Sequence, residues 1–303
     1  MRTFVSFAIL AAFPALIHAG DGRFNGRWDI TASNGGAWWL EVTGAETGHP
    51  AGRFVTAFNG DMNTIERITV KTGVLEFGWP ARQLAYTARI AGEGLEGTFQ
   101  SGSEPPVKWT AVRAPVIKDR DDGSWREGKP VTLFNGKDLT GWVSTDGGPI
   151  RGWSASNGVL TATGEGRDII TTSKFWNFKL HAEFRVPPHS NSGVGLRTRY
   201  EVQVLEDYGK PPDTHTNGAL YSRIPPGVNA SKPANEWQTF DIRLVGRQVT
   251  VVLNGKTVID HGEIEGLTAI ALDSNEAQPG PVYLQGDHGR VDYRNIVLTP
   301  LTK

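Results

Sequence analysis

The chain has 303 residues, a formal net charge of −1, ten tryptophans, 37 glycines and no cysteine. Its length suggests two domains and is ample for a packed core without staples. The absent thiols exclude a disulfide framework, a cysteine nucleophile and thiolate metal sites. The near-neutral balance leaves no electrostatic footprint for nucleic acid or an anionic membrane.

Residues 1–19 open with Met1-Arg2-Thr3 and continue as an apolar run from Phe4 to Ile17, ending at His18-Ala19 before Gly20-Asp21. This is the pattern of a signal peptide and too short for a membrane span, so export to the periplasm or the outside is expected. No transmembrane segment is predicted.

Residues 20–114 read as one small all-β domain. Eight short runs are predicted strands: 27–30, 38–42, Gly52 to Phe58, Ile65 to Val70, 74–77, 86–90, 95–99 and 108–113. Gly, Asn or Pro separates most of them, as in a meander or small antiparallel barrel. Gly26-Arg27-Trp28 and Leu95-Glu96-Gly97-Thr98-Phe99 resemble small lipocalin-type barrels. Ala114 to Gly123 is charged and without alternation, so residues 115–129 are expected to form an exposed linker.

Residues 130–303 form the second domain, with longer strands. Phe178, Leu180, Ala182, Phe184 and Val186 alternate with Lys179, His181, Glu183 and Arg185. Gly193 to Val204 reads as one further strand, placing Val194, Leu196, Thr198, Tyr200, Val202 and Val204 on one face and Arg197, Arg199, Glu201 and Gln203 on the other. Asn254-Gly255 predicts a type I′ hairpin. No amphipathic helix stands out, and two face-to-face sheets are expected.

The long bidentate groups from Asn191 to Glu206, with His181 and Glu183 on the preceding strand, suit a polyhydroxylated ligand. Trp142, Trp153, Trp176, Tyr221 and Trp237 supply candidate platforms for sugar rings. The loop Asp207 to Asn217 is a surface connection, with a lid or cation-binding role as the alternative. The loop from Ile224 to Asn235 reads likewise. The seven histidines lack metal-ligand spacing, and a divalent cation is the one cofactor left open.

Leu133-Phe134-Asn135-Gly136-Lys137-Asp138-Leu139-Thr140-Gly141-Trp142 resembles the opening motif of the 3-keto-disaccharide hydrolase domain family. In the same order follow Phe175 to Leu180 with Glu183-Phe184-Arg185, Asn191 to Val194, Tyr200 to Leu205, Gly218 to Tyr221, Glu236 to Thr239, Leu253 to Gly255, and Leu284-Gln285 through His288 to Ile296. The resemblance spans about 130–301 and omits 20–114. It implies a concanavalin A/laminin G-like sandwich, of the jelly-roll kind, acting on oxidised disaccharides or glycosides. It also implies that Glu183, Arg197, Glu201, Gln203, Gln285 and His288 face the sugar. Gln285-Gly286-Asp287-His288 departs from the single residue the family often has between Gln and His.

A C3 ketone acidifies the C2 proton, so loss of that proton can expel the C1 substituent before water adds. Such chemistry needs a base, an oxyanion stabiliser and an acid. Glu201 or His288 is the expected base. Arg197 with Gln203, or a cation, would serve the oxyanion, and Glu183 the acid. Asn191, Arg199, Tyr221 and Gln285 complete the expected substrate contacts. Two other functions compete. Glu201-Val202-Gln203-Val204-Leu205-Glu206 is similar to the E-x-D-x-x-E strand of retaining glycosidases, with Gln203 in place of the middle acid. A lectin-like binding module needs no chemistry at all.

Overall fold

The computed structural model describes residues 20–56 and 60–303; the signal-like segment lies outside them. The described chain is all-β apart from short 3₁₀ turns, and no helix in it is long and apolar enough to cross a membrane. The first sheet contains β1 (Gly26–Ala32), β2 (Ala37–Thr43), β3 (Ala51–Val55), β4 (Asn63–Thr64), β5 (Arg67–Lys71), β6 (Val74–Trp79), β7 (Leu84–Ala91), β8 (Gly94–Ser101) and β9 (Val107–Arg113). Nine strands replace the eight expected. The run predicted to reach Phe58 ends as a strand at Val55, residues 57–59 lie outside the described chain, and β4 is a separate two-residue strand.

The sheet is antiparallel in the order β4-β3-β2-β1-β9-β8-β7-β6-β5. Alternation drives it: on β9, Trp109 and Ala111 are buried between exposed Lys108, Thr110 and Val112. The sheet curls until β3 meets β6 and β7, with the Phe54 ring 5.2 Å from Phe77 and 4.7 Å from Tyr86. Its two edges, β4 and β5, do not pair with each other.

The remaining strands are β10 (Arg126–Glu127), β11 (Val131–Thr132), β12 (Trp142–Ser144), β13 (Trp153–Ser156), β14 (Val159–Ala162), β15 (Ile169–Thr171), β16 (Phe178–Arg185), β17 (Asn191–Leu196), β18 (Tyr200–Leu205), β19 (Gln238–Val245), β20 (Gln248–Leu253), β21 (Lys256–Glu263), β22 (Tyr283–Leu284) and β23 (Val291–Thr302). The larger sheet runs β13-β14-β23-β16-β19-β20-β21, with β10 and β11 also on β23. The smaller runs β12-β15-β22-β17-β18. Between them lies one apolar core, in which Phe178, Leu180, Phe184 and Phe240 of the larger sheet meet Val194, Leu196, Val202 and Leu284 of the smaller. Asn254 and Gly255 both take positive φ, 52° and 78°, between β20 and β21, as the type I′ turn requires.

The predicted single strand from Gly193 to Val204 is instead a hairpin of β17 and β18. Arg197 and Thr198 turn the chain, with φ of 56° and 57°. Leu196 pairs directly with Tyr200, so three residues form the turn and the even-numbered residues face the core on both sides of it. Period-two alternation therefore continues through the reversal, which is why the sequence shows no break. Arg197 is fully buried, its guanidinium 4.0 Å from the Trp176 ring centre and donating to the Gly246 carbonyl.

Residues 115–129, the linker, are exposed or half-buried throughout, and two of their acids reach the sandwich. Asp119 accepts from Trp176 and Asn177 at 2.8 Å, and Asp121 accepts from Arg243 at 2.5 and 2.8 Å. Its acidic residues tie it to the larger sheet.

The outer face of the N-terminal sheet packs onto the chain between β21 and β22. Trp39 is fully buried there with Ala37, Val55, Leu267 and Ala271. Arg27 and Arg53 flank its ring at 5.8 and 5.9 Å, and each bridges Glu41 to Glu265. Beside them Asp29 is buried against Glu276, and burial first, then Glu276, pushes its carboxyl well above the usual range. Glu276 also accepts from Tyr200 at 2.6 Å and Arg247 at 2.5 Å.

Removing the Trp39 side chain leaves a large cavity between the two parts. Trp39→Ala is expected to cost about 3–5 kcal/mol. Calorimetry is expected to show the single wild-type transition splitting in two; one undivided transition at the wild-type temperature would show that the indole does not join them.

Candidate functional site

The site is the face of the smaller sheet turned away from the core. Strand alternation that sends Val194, Val202 and Leu284 inward sends Asn191, Gly193 and Gly195 of β17, Glu201 and Gln203 of β18, and Tyr283 of β22 outward. Gly195 stands between Glu201 and Tyr283 in one row of the three strands. In the next row Gly193 pairs with Gln203, and its carbonyl accepts from the Gln285 N–H at 3.0 Å.

The central strand thus lacks side chains where its neighbours carry polar ones. A Cβ on Gly193 would lie 2.2 Å from Glu201 Oε1, and one on Gly195 would lie 2.3 Å from Ile270 Cδ1. Only glycine leaves the space into which the flanking groups lean. Asp168, Tyr221, the Ala269-Ile270 segment, Asp287 and His288 close the walls of a cavity of about 320 Å³.

The pocket is acidic, and among the described residues no lysine or arginine lines it. Glu201 is 2% exposed; burial, reinforced by the charges of Asp168 and Asp287, raises its carboxyl to about 8. Asp168 is also raised, chiefly by burial, against the opposing hydrogen bonds from the Gly286 N–H at 2.8 Å and the Tyr283 hydroxyl. His288 Nδ1 pairs with Asp287, which leaves Nε2 for a ligand. Gln203 donates to Asn191 at 3.2 Å. Among the described residues Gln285 Oε1 is buried with no partner, an acceptor suited to a ligand hydroxyl.

The N-terminal part reaches this wall. His215 Nε2 pairs with Asp61 at 2.9 Å, and its ring stands edge-on to Tyr221 with centres 4.8 Å apart. The Met62 N–H donates to Ser222 Oγ at 3.1 Å, and Gly60 packs so closely on Ala269 that a Cβ there would lie 2.2 Å from the alanine methyl. Burial, then Asp61 and Glu201, raises the Tyr221 phenol.

Six of the residues proposed from sequence meet in the pocket: Asn191, Glu201, Gln203, Tyr221, Gln285 and His288. Three do not. Arg197 and Arg199 belong to the hairpin turn rather than a strand face, and Arg199 donates to Asp273 at 2.8 Å and to the Gln278 carbonyl at 2.9 Å. Glu183 lies on the larger sheet, where it accepts from Arg294 at 2.6 Å and from Asn295. Alternation fixes which face a residue takes but not which sheet its strand joins. Among the candidate platforms, Trp142 and Trp153 are buried, Trp176 lies under Arg197, and Trp237 stacks with Arg185 and Arg294.

Asp168, Tyr283 and Asp287 were not anticipated. Tyr283 stands two residues before Gln285, and Asp287 two after it, so period-two reading outward from Gln285 would have reached both. Asp168 precedes a three-residue strand and carried no such signal. The Asp207 loop is held by its own acid, which accepts from Ser231 at 2.6 Å and the Asn217 N–H at 2.8 Å. Among the described residues no three His, Asp or Glu side chains are grouped to hold a metal ion.

The sequence profile of the 3-keto-alpha-glucoside-1,2-lyase-like domain matches residues 129–299, more than half of the chain. A 3-keto-disaccharide hydrolase of Bacteroides thetaiotaomicron is 26% identical over 168 residues, covering 43% of this chain and 58% of the relative. The match thus spans little more than half of that protein's length. A solved structure from Parabacteroides distasonis ATCC 8503, assigned as a glycosyl hydrolase, is 28% identical with a TM-score of 0.50 over 61% of this chain and 92% of that one. A second from the same organism shares the fold at 23% identity and a TM-score of 0.50, over 57% and 94%. The chain therefore belongs to the family of the 3-keto-alpha-glucoside-1,2-lyase-like domain.

Proposed function

We propose that this protein cleaves 3-keto-disaccharides or 3-keto-glycosides by elimination followed by hydration. The observation that carries the proposal is a buried carboxyl, Glu201, held protonated near neutrality in a polar pocket beside an Asp287–His288 pair. His288, with Nδ1 held by Asp287, takes the C2 proton at Nε2. The C2–H electrons form the C1=C2 bond, the C1–O bond breaks, and Glu201 gives its proton to the departing oxygen. Glu201 then takes a proton from the water whose hydroxyl adds to C1, and His288 returns its proton to C2, which restores both groups. Gln203 and Asn191, whose amides face the pocket, supply donors for charge on the C3 oxygen. Arg197 and Glu183, the groups first expected at the oxyanion and the leaving oxygen, do not line this cavity, and this reading gives them no part in the step.

A two-carboxylate hydrolase is a weaker reading. Its second acid on the Glu201 strand would be Glu206, which bonds to the His189 N–H at 3.3 Å and does not line the cavity.

Glu201→Gln is expected to lower turnover of a 3-keto-disaccharide by about 10²–10⁴-fold, and far less for a 3-keto p-nitrophenyl glycoside, whose leaving group needs no acid. Equal losses on both substrates would remove Glu201 as the acid. Wild-type turnover is expected to fall above about pH 8, where Glu201 ionises. A carboxyl raised on folding contributes stability below its unfolded value that is lost as pH rises through the folded one. The melting-temperature advantage of Glu201→Gln should accordingly widen up to about pH 8.

Release of reducing sugar from matched 3-keto and unoxidised disaccharides tests the substrate class, with a chelator arm for a divalent cation. Turnover of the keto sugar alone is expected. Turnover of the unoxidised sugar would move the assignment to direct hydrolysis, and saturable binding without turnover of either would leave a lectin-like module.

Export is proposed from residues 1–19. Intact-mass measurement of the protein released by osmotic shock or secreted should give a chain starting near Gly20; a full-length chain retained in the cytoplasm would refute it.

A further inference from the structure

The residues of the sugar pocket are ordered across the smaller sheet. Asp168 stands directly before β15 and Gln285 directly after β22, with His288 three residues further on. Glu201 is on β18, the edge strand. Tyr221 lies beyond that edge, on a segment bonded to it: the Tyr221 N–H donates to the Glu201 carbonyl at 3.0 Å, and the Gln203 N–H to the Ala219 carbonyl at 3.0 Å. Charge follows the same order. The Tyr221 phenol feels Asp61 and Glu201, whereas Asp168 feels Asp287 and His288.

Three half-buried side chains make the rim at the Tyr221 end. His215 stands edge-on to Tyr221, and Asp61 pairs with His215 Nε2. The rim is fixed from both parts of the molecule. The His215 N–H donates to Asp213 at 2.7 Å, and the Ser222 N–H to the Thr214 carbonyl at 2.8 Å. Arg223 donates to the carbonyls of Glu265 at 2.9 Å and Gly60 at 3.3 Å.

We propose that Tyr221, His215 and Asp61 form the subsite for the leaving group, and that the group it takes is a second sugar. The proposal rests on the elimination reading, which sets the direction of the substrate. With the base His288 at C2 and the acid Glu201 at the departing oxygen, the leaving group extends past Glu201 toward Tyr221. A phenol, an imidazole and a carboxylate side by side suit a partner with several hydroxyls. An aryl group would cover the Asp61 carboxylate without pairing it, which costs free energy. Asp61 belongs to the N-terminal part, outside the matched residues 129–299. That part therefore selects what leaves.

The test is steady-state kinetics of the full chain on a 3-keto-disaccharide and a 3-keto p-nitrophenyl glycoside. Asp61→Ala is expected to raise KM for the disaccharide about tenfold, as loss of one charge-assisted hydrogen bond predicts, with a smaller change in kcat. KM for the aryl glycoside should rise much less. Asp61→Asn keeps the size of the side chain and a pairing with His215. It should show the same discrimination at about threefold, and it carries the test if the alanine variant fails to fold. Equal rises in KM on both substrates would show that Asp61 only holds the wall, and would overturn the assignment. So would an unchanged KM for the disaccharide in both variants. Wild-type turnover of neither keto substrate would overturn the elimination reading, and the assignment with it.

Discussion

The site depends on what β17 lacks. A polar pocket on a sheet face needs room, and a fully dressed strand would fill it. With Gly193 and Gly195 in the central row, Glu201 leans inward from one side and Ile270 and Tyr283 from the other. The same absence buries the carboxyl. Burial, with two further acids nearby and, among the described residues, no lysine or arginine on the walls, keeps Glu201 protonated near neutral pH. A carboxylic acid kept neutral in a polar pocket is useful because it can both donate and accept. Backbone geometry, electrostatics and chemistry thus share one origin.

The N-terminal sheet is part of this arrangement rather than an appendage. Its outer face buries Trp39 against the segment that leads to Ala269 and Ile270, and its 60–62 stretch touches the pocket wall directly. Asp29 and Glu276 are buried together at the contact, and their pairing is sustained by Tyr200 and Arg247. A buried acid pair is tolerable when one partner is protonated and the other hydrogen-bonded. Tyr200 belongs to the same hairpin as Glu201, so the contact between the two parts and the floor of the pocket are mechanically continuous.

Much of the strand pattern was legible because alternation between buried and exposed residues is a local property. Phe178 to Val186 and Asn254-Gly255 are examples, as are most of the runs before residue 114. The reversal at Arg197 was hidden for a physical reason: a three-residue turn preserves the parity of the pattern, so a hairpin and a long strand look alike. That ambiguity carried two arginines to the wrong place. Glu183 was misplaced for a related reason, since adjacent strands in sequence joined different sheets.

The sequence by itself determined an all-β chain with a sandwich in its second half, the family, and the polar strand residues Asn191, Glu201 and Gln203 with Gln285 and His288. Each rests on short-range pattern or motif order. Only the tertiary structure decided which polar face is a cavity and which is surface. It brought Asp168, distant in sequence, beside Glu201, removed Glu183 to the opposite sheet, and set Asp61 against His215. These depend on sheet assignment and packing between parts, which side-chain periodicity does not encode. The raised carboxyl of Glu201 is likewise a tertiary property, because desolvation exists only once the walls have closed around it.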